Sequence, residues 1–332
     1  MKETIYDITI IGAGPVGLFT AFYASLRQAK VKVIESLAQP GGQPAYLYPE
    51  KLIYDIPAYP SISGEALRDQ LLKQLDRFEP SLVFNEEVLA LKEQTDSDGK
   101  AYFEIMTNQA IHASRTVIIA AGNGAFSPRK LSLDNADDFE GGNLHYYINN
   151  IEQFTDRVVA VCGGGDSAVD WALTLEPLAK KVYIIHRRQK FRALESSIAQ
   201  LEASSVEIMT PYVPTHIEGN NGVIDALVIN KARTDHFQTL EVDDIIVNYG
   251  FTSSIGEIRH WDLALERNKL VVDQHMQTSR PGIYAVGDIA TYPGKVDIIA
   301  SGFGEAPQAV NNALVYMDPE HIQPHMHSTS LF

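Results

Sequence analysis

Twice along the chain a short apolar run ends in glycines and passes directly into a segment with small residues on one side. Ile8 to Ile11 leads into Gly12, Gly14 and Gly17, and Val158 to Cys162 leads into Gly163, Gly165 and Ala168. Apolar runs of this length bounded by turn signals predict buried strands. The segments that follow predict helices, the first with Gly17, Ala21 and Ala24 along one side and the second ended by Pro177. A strand, a glycine turn and a helix form the opening unit of a doubly wound α/β domain. The fold class predicted is therefore α/β, with two Rossmann-like dinucleotide-binding domains. A third run, Ile283 to Val286, predicts a strand ending in Gly287 and Asp288. Downstream, "GFGEAPQAVNNALVY" predicts a helix with Pro307 in its first turn.

The 332 residues suffice for two domains, and 45% hydrophobic with 21% charged residues is ordinary globular composition. A formal net charge of -15 argues against nucleic acid, whose phosphates need a basic footprint. The start, "MKETIYDITIIGAGPVG", runs into a glycine turn and lacks the form of a signal peptide. No segment has the roughly 20 apolar residues of a membrane helix. The single cysteine, Cys162, excludes an intrachain disulfide and suits a reducing compartment, so the expected location is cytoplasmic. His321, His325 and His327 lack a supporting carboxylate or thiol pattern, and no metal site is expected.

In the first turn, Gly12 permits the sharp bend, Gly14 lets backbone approach a pyrophosphate, Pro15 opens the helix, and Gly17 permits close helix-strand packing. The next strand, "VKVIES", ends in Glu35, which lies 21 residues beyond Gly14, where a carboxylate accepts bonds from ribose hydroxyls. That suits FAD or NAD rather than NADP. Two later features choose FAD. "GGQPAYLYP" offers Gly42, a Gln43 amide for a flavin edge and Tyr48 for stacking on a ring. Gly287 and Asp288 offer close approach and an acceptor for a ribityl chain.

The second turn comprises Gly163, Gly164, Gly165, Asp166, Ser167 and Ala168. The acid expected after the next strand is missing, and His186, Arg187 and Arg188 stand there, with Arg192 just beyond. Six Lys or Arg and no acidic residue lie between Lys180 and Arg192. Guanidinium forks match a dianionic 2'-phosphate, so this turn predicts NADPH. A solvated basic surface and a patch that steers an acidic protein partner are the competing readings of the run. Asp166 orients the nucleotide or serves as helix N-cap. Cys162 reads as a buried strand residue, and Trp171 and Trp261 as packing residues.

With these motifs placed, the chain resembles the flavoproteins with two dinucleotide-binding domains typified by low-molecular-weight thioredoxin reductase. "GAGPVG", "GGQ", "VIIAAG", "GGGDSA", "HRR" and "GIYAVGD" occur in that family's order. It departs from thioredoxin reductases in lacking their Cys-x-x-Cys ahead of the second glycine turn, and dithiol exchange needs two sulfurs. "YPEKLIYDIP", "AAGNGAFSPRKL", "GGGDSAVDWALTLEP", "VNYGF", "IASGFGEAP" and "HSTSLF" are similar instead to the ferredoxin-NADP reductases of thioredoxin-reductase-like type. That resemblance implies Glu35, Gln43, Tyr48, Val88, Phe126, Asp288 and Thr329 as FAD contacts. It implies Tyr48 against one flavin face and, against the other, His327 or a neighbour in the tail of the partner subunit of a homodimer.

The expected domains are a discontinuous FAD domain, 1–123 with 251–332, and an NADPH domain, 124–250. "AAGNGA" and "NYGFTS" are the crossings, suited to hinge motion. The expected function is electron transfer from NADPH through FAD to ferredoxin or flavodoxin, reversible in principle, with no catalytic side chain beyond the cofactors. A flavin enzyme with a quinone or oxygen as acceptor and a non-enzymatic flavin redox sensor remain the alternatives.

Overall fold

The computed structural model describes residues 4–148, 150–320 and 329, and the backbone alone at 125–127, 252 and 253. The chain divides into two compact units, Met1–Ala125 with Ser253–Phe332, and Phe126–Thr252. Both have the doubly wound α/β character read from the sequence.

In the first unit the parallel strands run in the order Ser81–Val83, Val31–Ile34, Ile5–Ile11 and Ile111–Ile119. The last of these is shared. Its beginning pairs antiparallel with Ala101–Thr107, which continues to Val88–Thr95, and its end pairs parallel with Ile283–Ala285. The C-terminal segment thus supplies a strand beside the middle of the sheet formed by the N-terminal segment. Strands buried on both faces read as continuous apolar runs, which is why Ile8, Ile10, Val117, Ile118, Ile119 and Ile283 are almost wholly buried.

Helix Pro15–Leu26 packs on this sheet through Gly17, Leu18, Ala21 and Ala24. Helix Ile299–Met317 contributes Ala309, Val310 and Ala313 to the same core. This last helix corrects the sequence reading, which began it near Pro307. It starts at Ile299, and Pro307 lies in its interior. An interior proline forfeits one backbone bond and costs about 3 kcal/mol. Burial of Ala306, Ala309, Val310 and Ala313 on one stripe offsets that cost.

The second unit has a five-stranded parallel sheet in the order Leu144–His145, Asp244–Asn248, Val158–Gly163, Lys181–Ile185 and Glu207–Met209. Helix Asp166–Leu175 follows the glycine turn and stops before Pro177, as the sequence predicts. An antiparallel sheet of Tyr212–Asn220, Val223–Lys231 and Phe237–Glu241 joins it. The crossings between the units contain strands Ala125–Pro128 and Phe251–Ser254, which pair with each other. Among the described residues no helix is long and apolar enough to cross a membrane.

Candidate dinucleotide sites

Ligands of open α/β sheets bind beyond the carboxyl ends of the strands. At that end of the first unit, Gly12 takes a φ of 105° and turns the chain so tightly that a Cβ on Gly17 would lie 2.0 Å from the Gly12 carbonyl oxygen. The following helix has Gly14 as N-cap and Pro15 at its first position, with no side-chain cap. Its first amides therefore remain available to an anion. Glu35 is 7% exposed, and its Oε2 accepts the Ala13 N–H at 2.6 Å. Its Oε1 accepts the Leu37 N–H at 2.9 Å and the Ser36 hydroxyl at 3.2 Å. A carboxylate offers about four acceptor positions, so capacity for ribose hydroxyls remains.

The loop Gly41–Gly42 lies backbone to backbone on the turn, since a Cβ on Gly42 would sit 2.8 Å from the Gly14 Cα. Gln43 and Pro44 follow in the short helix Gly42–Leu47, which ends at Tyr48. Burial, and then the neighbouring Asp288 charge, push the Tyr48 phenol above its ordinary range. Tyr48 thus lies within electrostatic reach of Asp288. Burial and then Asp297 raise the Asp288 carboxyl, against the opposing pull of Lys269 and Lys295. The structure thus gathers Gly12, Gly14, Pro15, Gly17, Glu35, Gly42, Gln43, Tyr48, Gly287 and Asp288 at one end of the unit.

Four expected contacts stand differently. Val88 is 7% exposed and packs in the core of this unit. The backbone at Phe126 belongs to a crossing strand, and its side chain lies outside the described residues, as does His327. Thr329 is an exposed single position.

A feature the sequence reading missed lies beside Asp288. Glu305 is 2% exposed; its Oε2 accepts the Gly287 N–H at 2.7 Å, and its Oε1 accepts the Tyr292 hydroxyl at 2.7 Å and pairs with Lys295. A signal existed: Glu305 is a charged residue on the apolar stripe Gly302, Ala306, Ala309, Val310 and Ala313.

In the second unit the glycine turn is built around His186. A Cβ on Gly164 would lie 2.1 Å from its Nδ1, and the ring stacks on Phe191 with centroids 5.4 Å apart. Burial and then the guanidiniums of Arg187, Arg188 and Arg192 hold the imidazole below its ordinary value, against the opposing pull of a ring N–H bond to the Lys190 backbone carbonyl. The Arg192 N–H donates to the Gly164 carbonyl at 2.7 Å, fixing the start of that segment on the turn. Arg187, Arg188 and Arg192 are exposed, as are Asp166 and Ser167, whereas Gly163, Gly164 and Ala168 are buried and Gly165 is half-buried.

The N-cap of the helix is Gly165, without a side-chain cap. The N-cap reading of Asp166 is therefore corrected. Asp166 is the first helical residue, and its Oδ1 accepts the Leu194 N–H at 2.9 Å, which ties the basic segment to the turn. Two buried polar atoms at this loop, His186 Nε2 and Asn248 Oδ1, have no partner among the described residues. Such orphans are unusual in a closed core and suit a polar ligand. Cys162 is wholly buried, and burial pushes its thiol up to about 12.

Residues 6–314 match the family described as pyridine nucleotide-disulphide oxidoreductase. The chain is 56% identical over 329 residues to "Ferredoxin--NADP reductase 2" of Bacillus pumilus, covering 99% of this chain and 97% of that protein. It is 55% identical over 332 residues to the protein of the same name from Listeria monocytogenes, covering 100% and 99%. Among solved structures, Lactococcus lactis thioredoxin reductase is similar with a TM-score of 0.75 at 26% identity, covering 94% of this chain and 99% of that one.

Proposed function

Because the chain belongs to the pyridine nucleotide-disulphide oxidoreductase family, we propose that it is an NADPH-dependent flavoprotein reductase whose electrons leave for ferredoxin or flavodoxin. The observation that carries this reading is the opposite charge at two equivalent positions, in a chain whose single thiol is sealed in a strand. Glu35 closes the strand after the first glycine turn, and His186, Arg187 and Arg188 follow the strand after the second. A carboxylate suits a free ribose diol, and guanidiniums suit a 2'-phosphate. On this reading the first unit is the FAD domain and the second the NADPH domain.

FAD held there would supply the chemistry that turns the two-electron donor NADPH into a source of single electrons. The protein's part is binding and placement. Amides at the start of Pro15–Leu26 hold the pyrophosphate, Glu35 the ribose, Tyr48 one ring face and Asp288 the ribityl hydroxyls. Gly163–Ala168 receive the NADPH pyrophosphate, while Arg187, Arg188 and Arg192 hold its 2'-phosphate. No side chain is required for proton abstraction or covalent attachment. Cys162 stays protonated and inaccessible, which supports a route without sulfur despite the family's name.

The ferredoxin assignment is supported by full-length relatives that carry that name. We further read the enzyme as a cytoplasmic homodimer in which the tail covers the partner's flavin, with His327 or a neighbour against the ring. The purified protein is expected to show a flavin spectrum that NADPH bleaches anaerobically and that added ferredoxin or flavodoxin restores. Restoration by quinones or oxygen alone would defeat the acceptor assignment, and a protein with no flavin would defeat the whole reading. Replacing Arg187 and Arg188 by Ala is expected to lower kcat/KM for NADPH about 100-fold while changing that for NADH little. An unchanged ratio removes the phosphate assignment.

A further inference from the structure

The turn Gly287–Asp288 is held from behind by a buried ion pair. The side chains of Lys295 and Glu305 are 5% and 3% exposed, and they are in direct contact. Glu305 also accepts the Gly287 N–H and the Tyr292 hydroxyl, both at 2.7 Å. Lys295 lies 5.5 Å from the centre of the Tyr292 ring. Burial and the Glu305 bond push the Tyr292 phenol up to about 12, so it adds no charge to the ion pair near neutral pH.

The same point is a steric junction. Gly287 takes a φ of 75°, and a Cβ there would meet the Val16 side chain at 3.4 Å. A Cβ on Gly302 would lie 2.4 Å from Val16 Cγ2 and 3.2 Å from the Gly287 Cα. The start of the first helix, the Asp288 turn and the last helix therefore meet with no room between them. Charge placed behind Gly287 acts at short range on whatever binds in front of it, through material with little freedom to reorganise.

A hydrogen-bonded carboxylate would by itself hold the turn. A buried carboxylate with its own buried ammonium does more, because the pair fixes the net charge behind the turn near zero. Two neutral side chains of similar volume would satisfy packing at a smaller desolvation cost. We infer that Glu305 and Lys295 form a charge-balanced positioning pair that sets the relative affinity of the Gly287–Asp288 turn for reduced and oxidised FAD. Both side chains are buried in contact with each other, and we assign them no contact with the reacting atoms. Each acts through the Gly287 amide and through the field at Asp288. The inference rests on the FAD assignment of this unit.

The test measures the midpoint potential of the bound flavin, by equilibrium dye titration at one pH, together with the dissociation constant of FAD from the apoprotein. Glu305→Gln leaves Lys295 uncompensated and is expected to favour reduced over oxidised FAD about tenfold, a rise of about 30 mV for two electrons. Lys295→Met leaves Glu305 uncompensated and is expected to shift the ratio about tenfold the other way. The double variant returns near the wild-type potential. Tyr292→Phe, which removes a bond but no charge, stays near it throughout. Shifts of the same sign in the two single variants, or ratios within about twofold of wild type, overturn the inference.

If one single variant yields no holoprotein, the sign shown by the other decides. If neither does, the double variant decides: FAD bound at the wild-type potential supports charge balance, and lost FAD or a displaced potential overturns it. A wild-type protein that binds no FAD defeats the site assignment instead, so the two failures are distinguishable.

Discussion

Glu35 Oε2 accepts the main-chain N–H of Ala13 at 2.6 Å, so the carboxylate at the end of the second strand also braces the glycine turn at the end of the first. The two duties separate by substitution. Glu35→Ala leaves a buried amide unpaired, which costs about 1 to 3 kcal/mol, and removes the ribose acceptor. Glu35→Gln keeps an acceptor for Ala13 but loses the charge. The apoprotein is expected to melt earlier in the Ala variant and near wild type in the Gln variant, while FAD affinity falls in both, about tenfold or more in the Ala variant. An Ala variant with unchanged FAD affinity would remove Glu35 from the site.

Gly164 and His186 make a comparable test in the second unit. The His186 N–H donates to the Met209 carbonyl and its carbonyl accepts the Tyr212 N–H, both at 3.0 Å, so the backbone carrying the ring is held. Gly164→Ala places a methyl 2.1 Å from Nδ1, and the turn has to move. Misplacement by an ångström in a binding loop costs up to about 100-fold in rate. Stopped-flow reduction by NADPH is expected to slow at least tenfold while FAD content stays full. Normal reduction kinetics would show that the loop does not receive the nucleotide.

The thiol is expected to be silent. Cys162 lies in the strand Val158–Gly163, wholly buried, with its side chain in the cluster of Ile185, Leu227 and Val247. The thiolate is the reactive form, and burial suppresses it up to about pH 12. Native protein at pH 8 is expected to resist alkylating reagents that label it fully once unfolded. Cys162→Ala should lose about 1 kcal/mol of stability and retain turnover. Rapid labelling of the native enzyme, or loss of turnover without loss of flavin, would return sulfur to the mechanism.

Both glycine turns were legible because their physics is local. A strand, glycines forced by backbone crowding and a helix fall within about 20 residues, and the charge difference between Glu35 and Arg187 is printed in the chain. The buried Lys295–Glu305 pair was less so, since a helix stripe flags Glu305 but only tertiary contact supplies Lys295 and the Gly287 amide. Pro307 misled because a proline is common at a helix start, and the apolar stripe that carries this helix through it becomes visible only on the packed sheet. The antiparallel strands between Tyr212 and Glu241 carry no chemistry-bearing motif and passed unread.

Asp288 gives the protein a dependence on pH whose sign is fixed by its surroundings. Burial, the first cause, and then Asp297 raise its carboxyl above the ordinary value, while Lys269 and Lys295 oppose the shift. The native state therefore holds a proton at a pH where the unfolded chain has released it, and native binding of the extra proton makes stability fall as pH rises. The contribution is full below the ordinary carboxylate range and is lost as pH climbs through the raised native value. Asp288→Asn removes that loss, so the flavin-stripped variant is expected to be more stable than wild type at neutral pH, with the difference shrinking in acid. Denaturant unfolding of both apoproteins across mildly acidic to neutral pH checks this, stripping being needed because FAD binding would add its own linkage. A stability difference that grows in acid would show that Asp288 is held as a favoured carboxylate, and one constant with pH that its surroundings do not shift it; either outcome means that its place in the turn has been misread.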